Sequence, residues 1–383
     1  MAQKLSIKKI DLSVKEDTLA TDLKHLCFLV KPIWEDGNNF VYKKLQGGMM
    51  NQVYRCSNGE DLKDAIVVRV NTLQHVCNLV DREKEFLGVQ IGFAAGITQP
   101  VFAIFDNGIV YGYAPGSPMK WGCLWDDDIS RNLMRCLAKL HSVDVEGLDL
   151  TNLQGEKVKL EKKFTFMQRL KDAIQTIPEV YSNYPERKEI AAKLFWSKTR
   201  FLDEVELMEK HFDSFSFNVV FSHMDAWVNN ILYDEGSDKI SLIDYETCDF
   251  IYEAYDLALL FNCIGFFEHY SNLPVGLMKP SEEEMKLPRD DTFKRKLARI
   301  CLEEKCRIER TGPNDFAERE FEEFYDQALM LEIFVYFYFL IYQLNQLDDP
   351  LVDFDIISSI QLNFDTYVRL REKLFSFKPR GTL

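Results

Sequence analysis

The segment Phe221-Ser-His-Met-Asp-Ala-Trp-Val-Asn-Asn-Ile-Leu-Tyr233, followed by Leu242-Ile-Asp-Tyr-Glu246, concentrates the side chains best able to do chemistry. Asp225 precedes Asn230 by five residues, and Asp244 follows an apolar run. Phosphoryl transfer needs a carboxylate to orient and deprotonate the attacking hydroxyl, and oxygen ligands to hold Mg²⁺ against the phosphates. Asp225 has the loop position for the base, and Asn230 and Asp244 could both reach one metal site. An H-x-D triplet alone recurs by chance, and Asp and Asn favour ordinary turns because they bond local backbone. The five-residue spacing, the flanking apolar runs and Ile-Asp-Tyr-Glu make the set specific. His223 is expected to bond the loop backbone as a scaffold residue and not to carry a proton.

A second group lies in Leu45-Gln-Gly-Gly-Met-Met-Asn-Gln-Val-Tyr54. Backbone without a Cβ approaches phosphates closely and turns its N–H groups toward them, although a plain hairpin turn explains glycines between two strands equally well. Arg69, within Ile66-Val-Val-Arg-Val70, is a cation on an apolar strand and needs a partner. Glu85, on the next helical stretch, is the natural one. Kinases use such a strand-cation and helix-carboxylate pair to place the α- and β-phosphates; a purely structural salt bridge is the competing explanation.

The elements that must position these groups are legible in outline. Phe40–Gln46, Gln52–Cys56, Ala65–Val70, Val101–Phe105 and Ile109–Tyr113 have the β-branched and aromatic signature of strands. Asp106-Asn107-Gly108 marks a hairpin between the last two. Val80–Ala95 places Phe86, Val89, Gln90 and Phe93 at helical spacing. Beyond Pro115 helices are predicted at Ile129–His141, Leu160–Ile177, Arg187–Phe212, Thr292–Glu309, Phe316–Asn345 and Phe354–Phe375, with one β-rich segment, Val219–Asp249, among them. The outline is α+β: a small antiparallel-sheet N-lobe over 1–114 and a large, mainly helical C-lobe over 115–383.

Composition narrows the partners. Against 46 Lys and Arg stand 61 Asp and Glu, a net charge of −15 that argues against nucleic acid. The nine scattered cysteines contain no C-x-x-C pair and suit free thiols in a reducing compartment. Met1–Ser13 lacks the apolar core of a secretory signal. The longest apolar run, Ile333–Tyr342, is ten residues, about half a bilayer span. No membrane span and a cytoplasmic location are expected.

With these motifs in hand, the chain resembles the choline/ethanolamine kinase family, within the aminoglycoside-phosphotransferase and protein-kinase-like fold, from about Lys44 to Phe375. Gly47-Gly48-Met-Met-Asn51 resembles the family's G-G-x-x-N phosphate loop, and Val67-Val68-Arg69 its L-L-R strand. Glu85 falls at the helix carboxylate. Ile109–Pro115, with Tyr111, Gly112 and Tyr113, resembles the connector that meets adenine. Phe221–Leu232 resembles F-x-H-N-D-x-x-x-x-N-I-L, Ile243–Glu246 resembles I-D-Y-E, and Tyr255-Asp256 matches the Y-D whose aspartate braces the catalytic loop. The resemblance implies a two-lobed protein-kinase-like fold and ATP- and Mg²⁺-dependent phosphorylation of choline or ethanolamine, the first step toward phosphatidylcholine or phosphatidylethanolamine. Asp225 would be the base, Asn230 and Asp244 would hold Mg²⁺, and Glu246 would support metal or substrate. The family's quaternary-ammonium cage comes from C-terminal aromatics; counting back from Gln343, Tyr336 and Phe339 fall where choline kinases carry two tryptophans.

Some positions depart from the family's pattern. Its Asn in H-N-D is Met224, its N-H-F-x-E is Leu259-Leu260-Phe261-Asn262-Cys263, and Arg69 is followed by Val70-Asn71 instead of Tyr-Gly. Loss of the family's glutamate, with aromatic faces kept at Tyr336 and Phe339, predicts choline over ethanolamine. Two alternatives stay open: a pseudokinase or regulatory partner that binds ATP and turns over poorly, and a same-fold kinase for another small hydroxyl compound. The sequence also allows a homodimer.

Overall fold

The computed structural model describes residues 7–34, 39–45, 51–60, 62–71, 81–265, 279–309, 312, 315–349 and 355–380. Strands β1 (Lys8–Ile10), β2 (Phe40–Lys44), β3 (Asn51–Asn58), β4 (Ile66–Asn71), β5 (Val101–Phe105) and β6 (Gly108–Gly112) form one sheet in the order β1-β5-β6-β4-β3-β2. Helices α1 (Leu19–Val30) and α2 (Arg82–Ala94) interrupt it in sequence. The pairings among β2 to β6 are antiparallel, as expected, and the Asn107-Gly108 hairpin joins β5 to β6. Strand β1, parallel to β5 at the edge, and helix α1 are additions to the sequence-based expectation.

Alternation along β4 fixes what the cleft receives. Ile66, Val68 and Val70 enter a core shared with Leu23, Leu26 and Cys27 of α1. Val67 and Arg69 therefore face the other side, where the register sets them beside Tyr111 and Ile109 of β6.

The rest of the chain is mainly helical, beginning with a short strand, β7 (Ser117–Pro118). Helix α3 (Asp127–His141) is followed by a small hairpin of β8 (Leu150–Thr151) and β9 (Lys157–Val158), then by α4 (Phe166–Thr176). The single helix predicted over Arg187–Phe212 is two, α5 (Glu186–Leu194) and α6 (Lys198–Phe212), because Ser197 caps a new start by accepting from the Arg200 N–H. Next comes the β-rich segment, with β10 (Val219–Ser222), β11 (Ile231–Asp234), β12 (Lys239–Leu242) and β13 (Asp249–Tyr252). It makes two small sheets: β10 pairs with β13, and β11 pairs with both β12 and β7. Helices α7 (Tyr255–Gly265), α8 (Asp291–Glu309), α9 (Glu318–Leu344) and α10 (Ile356–Ser376) complete the chain. By length and composition α9 could cross a bilayer, yet 78% of its apolar window is buried within the protein, as a core helix would be.

Strand β7 pairs with β11, so the chain passes from the large sheet into the second lobe over Tyr113–Gly116. Gly116 has φ of 106°, and a Cβ there would lie 2.6 Å from the backbone oxygen of Tyr233. Only glycine fits that backbone and that approach. Gly116→Ala is expected to destabilise folding by about 2 kcal/mol, measured by denaturant melts; an unchanged midpoint would mean that connector and β11 are not so closely apposed.

Candidate active site

Two loops carry the predicted chemistry, and both are pinned at each end. The first, 223–230, runs from the end of β10 to the start of β11; the second, 243–248, runs from the end of β12 to the start of β13. Pairing of Ser222 with Asp249 closes one side, and pairing of Ile231 with Leu242 closes the other. Asp225, Asn230, Asp244 and Glu246 are thereby brought together. The Ile243 N–H donates to the Asn230 carbonyl at 3.0 Å, tying loop to loop.

His223 holds the two loops in register. Its Nε2 lies 2.9 Å from the Ile243 carbonyl, which can only accept, so that nitrogen carries the proton. Nδ1 then accepts from the Asp225 N–H at 3.3 Å. Burial lowers the imidazole's proton affinity and favours this neutral form. That is the scaffold function expected of it.

Asp256, at the start of α7, anchors the first loop. Its carboxylate accepts from the N–H groups of His223 (3.1 Å) and Met224 (2.8 Å), and His141 of α3 reaches it at 2.9 Å. Met224 has φ of 64°, in the left-handed region that asparagine enters more readily than methionine. The departure from the family's asparagine thus falls where backbone conformation is the requirement. Asp256 meets it through the backbone N–H, and the Met224 side chain is fully buried in the core. Asp244 shares this conformation, with φ of 65°.

The charges here are crowded. Burial first, and then Asp244 and Glu246, raise the proton affinity of Asp225 well above the ordinary carboxylate value. Burial and Asp244 push Glu246 up to about 7. The Asn230 amide opposes this by donating to the Asp225 carboxylate at 2.7 Å and to its carbonyl at 3.0 Å. With its NH₂ committed, Asn230 has Oδ1 left to offer. Among the described residues no three His, Cys, Asp or Glu side chains converge into an all-protein metal cage. An oxygen-only pair, Asn230 and Asp244, beside excess negative charge fits Mg²⁺, which takes one or two protein ligands and fills its shell with phosphates and water.

Above the loops, Arg69 and Glu85 form the expected ion pair through Arg69 NH1 and Glu85 Oε1. The other oxygen of Glu85 accepts from Arg82 at 2.8 Å. Both members of the pair are buried, and Arg69 is within electrostatic reach of Asp244 and Glu246. Tyr111, Gly112 and Tyr113 line the cleft between this pair and the lower loops. Val53 and Val67 form its roof, and Leu232 and Ile243 its floor. These four went unrecognised as cleft residues in the sequence, although Val67, Leu232 and Ile243 lie inside the segments that resemble L-L-R, N-I-L and I-D-Y-E. Gly47 and Gly48 lie outside the described residues; Asn51 opens β3, and its side chain is outside them too.

Tyr336 and Phe339 divide. Tyr336 is buried beside the C-terminal end of α7, its hydroxyl 3.3 Å from the Cβ position of Gly265 and within the field of Glu332 and Cys263. Phe339 is half-buried against Tyr338, with ring centroids 5.4 Å apart, and packs on the main core. Tyr255 lies within the field of Asp225 and packs against Tyr338, with ring centroids 6.4 Å apart.

A sequence model of the choline/ethanolamine kinase family matches residues 42–375. Mouse ethanolamine kinase 2 is 23% identical over 364 residues, which cover 95% of this chain and 84% of that protein. The structure of a Plasmodium vivax ethanolamine kinase superposes with a TM-score of 0.69 at 17% identity, covering 94% of this chain and 91% of the other. A Cryptosporidium parvum choline kinase gives 0.64 at 15%, covering 91% and 96%. The fold is the two-lobed protein-kinase-like one.

Burial opposes ionisation of Asp256, but His141, His223 and the Met224 N–H hold its proton affinity below the ordinary value of 3.8. A carboxylate depressed in the folded state stabilises above its unfolded pKa, and that contribution is lost as pH falls through the folded one. Asp256→Asn should therefore cost about 3 kcal/mol at neutral pH. It should also flatten the acid limb of the stability profile below about pH 4. Denaturant melts across pH check this; parallel acid limbs in variant and parent would contradict it.

Proposed function

Since the chain belongs to the choline/ethanolamine kinase family, its activity is phosphorylation of the hydroxyl of choline or ethanolamine, and we propose that Asp225 is the base for that hydroxyl. The observation that carries this is the joining of Asp225, Asn230 and Asp244 by two cross-linked loops beneath a cleft that also contains the Arg69–Glu85 pair. ATP would lie in that cleft, its base between the apolar roof and floor and its phosphates toward Arg69. Asn230 and Asp244 would hold Mg²⁺, which when bound neutralises charge on the phosphates. Asp225, oriented by the Asn230 amide, would take the proton as the substrate oxygen attacks the γ-phosphorus and the bond from that phosphorus to the β,γ-bridging oxygen breaks, releasing ADP. Burial, and then crowding by Asp244 and Glu246, strengthens its hold on that proton. Nine scattered cysteines without a C-x-x-C pair support a reducing compartment. The product would feed phospholipid head-group synthesis.

Asp225→Ala is expected to lower kcat by at least about a hundredfold while leaving KM for ATP within a few fold, as loss of a general base does. Steady-state ADP release measures both. Unchanged turnover would remove Asp225 from this role.

For the acceptor we favour choline. Cys263 offers no strong acceptor where the family has a glutamate, and the nearby Glu332 gives both oxygens to Lys294 at 2.6 Å. Tyr336 keeps an aromatic face, which suits a quaternary ammonium that cannot donate hydrogen bonds. A second reading, ethanolamine preferred, has the support of the relatives' names. The expected outcome is a larger kcat/KM for choline, with KM for choline lowered by Tyr336→Trp. A larger kcat/KM for ethanolamine, unmoved by that substitution, would establish the second reading.

A further inference from the structure

Helix α2 carries Glu85, so whatever fixes α2 also fixes the aim of Arg69. Its faces have separate duties. Glu85 and Val89 line the nucleotide cleft, whereas Lys84, Gly88 and Gly92, four residues apart, face the segment 245–249. A Cβ at Gly88 would lie 2.4 Å from Sγ of Cys248, and one at Gly92 would lie 2.3 Å from the Tyr245 hydroxyl. Helix and segment are thus in direct contact. One turn before the glycines, Lys84 Nζ donates to Oδ1 of Asp249 at 2.8 Å, and Oδ2 of the same carboxylate accepts from Arg169 of α4.

Asp249 is 1% exposed, and its two cations come from different lobes. A buried ion pair is a poor source of stability, because desolvation offsets the Coulomb attraction; its strict geometry makes it better suited to fixing position. Asp249 also stands five residues after Asp244, so the segment that holds α2 is the one that carries the metal-side carboxylates. We infer that Asp249 is a positioning residue: by binding Lys84 it sets α2, and through Glu85 the guanidinium of Arg69, against the nucleotide phosphates. This rests on Arg69 being the phosphate-binding cation. The far end of α2 has its own anchor, where Gln90 exchanges two hydrogen bonds with the Thr151 backbone at 2.8 and 2.9 Å. Loss of the Asp249 contact should therefore loosen the first turns of α2 alone.

The test compares Lys84→Met, Asp249→Asn and the double variant in the full chain. Its readouts are ADP affinity by calorimetry, KM for ATP and for the amino alcohol, and hydrogen exchange of backbone amides. Each single variant should weaken ADP binding and raise KM for ATP about tenfold, the loss of one well-aimed charge-assisted hydrogen bond. KM for the amino alcohol should stay within about twofold, and the double variant should be no worse than either single one. Exchange should quicken over 82–88 and stay unchanged in α9. If Asp249→Asn does not fold, Lys84→Met, at a half-buried helix position, carries the test. Parental ADP affinity and parental α2 exchange in Lys84→Met would overturn the inference. So would an equal rise in both KM values, which signals general loosening. A parent chain that binds ADP but phosphorylates no amino alcohol would instead count against the proposed activity, since affinity and exchange still report on α2.

Discussion

Burial, and after it the nearness of Asp244, raises the hold of both Asp225 and Glu246 on a proton, so the fold must keep like charges close together against their mutual repulsion. Most of the second lobe's local architecture can be understood as the means of doing so. Two separate strand pairings fix the ends of the two loops, His223 links them through a neutral imidazole, and the Asn230 carbonyl ties them a second time. Asp256 takes two backbone N–H groups that the turn at Met224 would otherwise leave without partners in the core. The result is a cluster of carboxylates held close together by backbone and side-chain hydrogen bonds.

The first lobe answers with a buried cation, Arg69. Alternation along β4 sends Arg69 to the cleft, and Glu85 and Arg82 on α2 complete a local charge network there. The two halves communicate by more than the ligand between them. Lys84, Gly88 and Gly92 pack α2 against the segment that follows Asp244, so the Arg69–Glu85 pair and the loop carboxylates share one support.

Much of this was legible in the sequence because it rests on local rules. Runs rich in β-branched and aromatic residues marked the strands between Phe40 and Gly112, Asn107-Gly108 marked their hairpin, and a cation on an apolar strand demanded a carboxylate, which Glu85 supplies. Spacing within a loop brought Asp225 and Asn230 together. What escaped depends on long-range partners. β1 is three residues long and exists only because β5 offers it an edge. The break between α5 and α6 turns on one capping serine within an otherwise helical pattern. Tyr255 comes within the field of Asp225 through the packing of α7, which spacing along α9 does not reveal. Asp249 was unremarkable as the end of the predicted β-rich segment; its two cations lie 165 and 80 residues away.

Phosphorus NMR of the purified chain, incubated with ATP, Mg²⁺ and either choline or ethanolamine, tests most directly whether this constellation transfers a phosphoryl group. The account predicts that the γ-phosphate resonance declines as a phosphomonoester resonance of the amino alcohol appears. Both changes should require the amino alcohol and stop when the metal is chelated. ATP binding without that new resonance, or release of inorganic phosphate alone whichever amino alcohol is added, would contradict it.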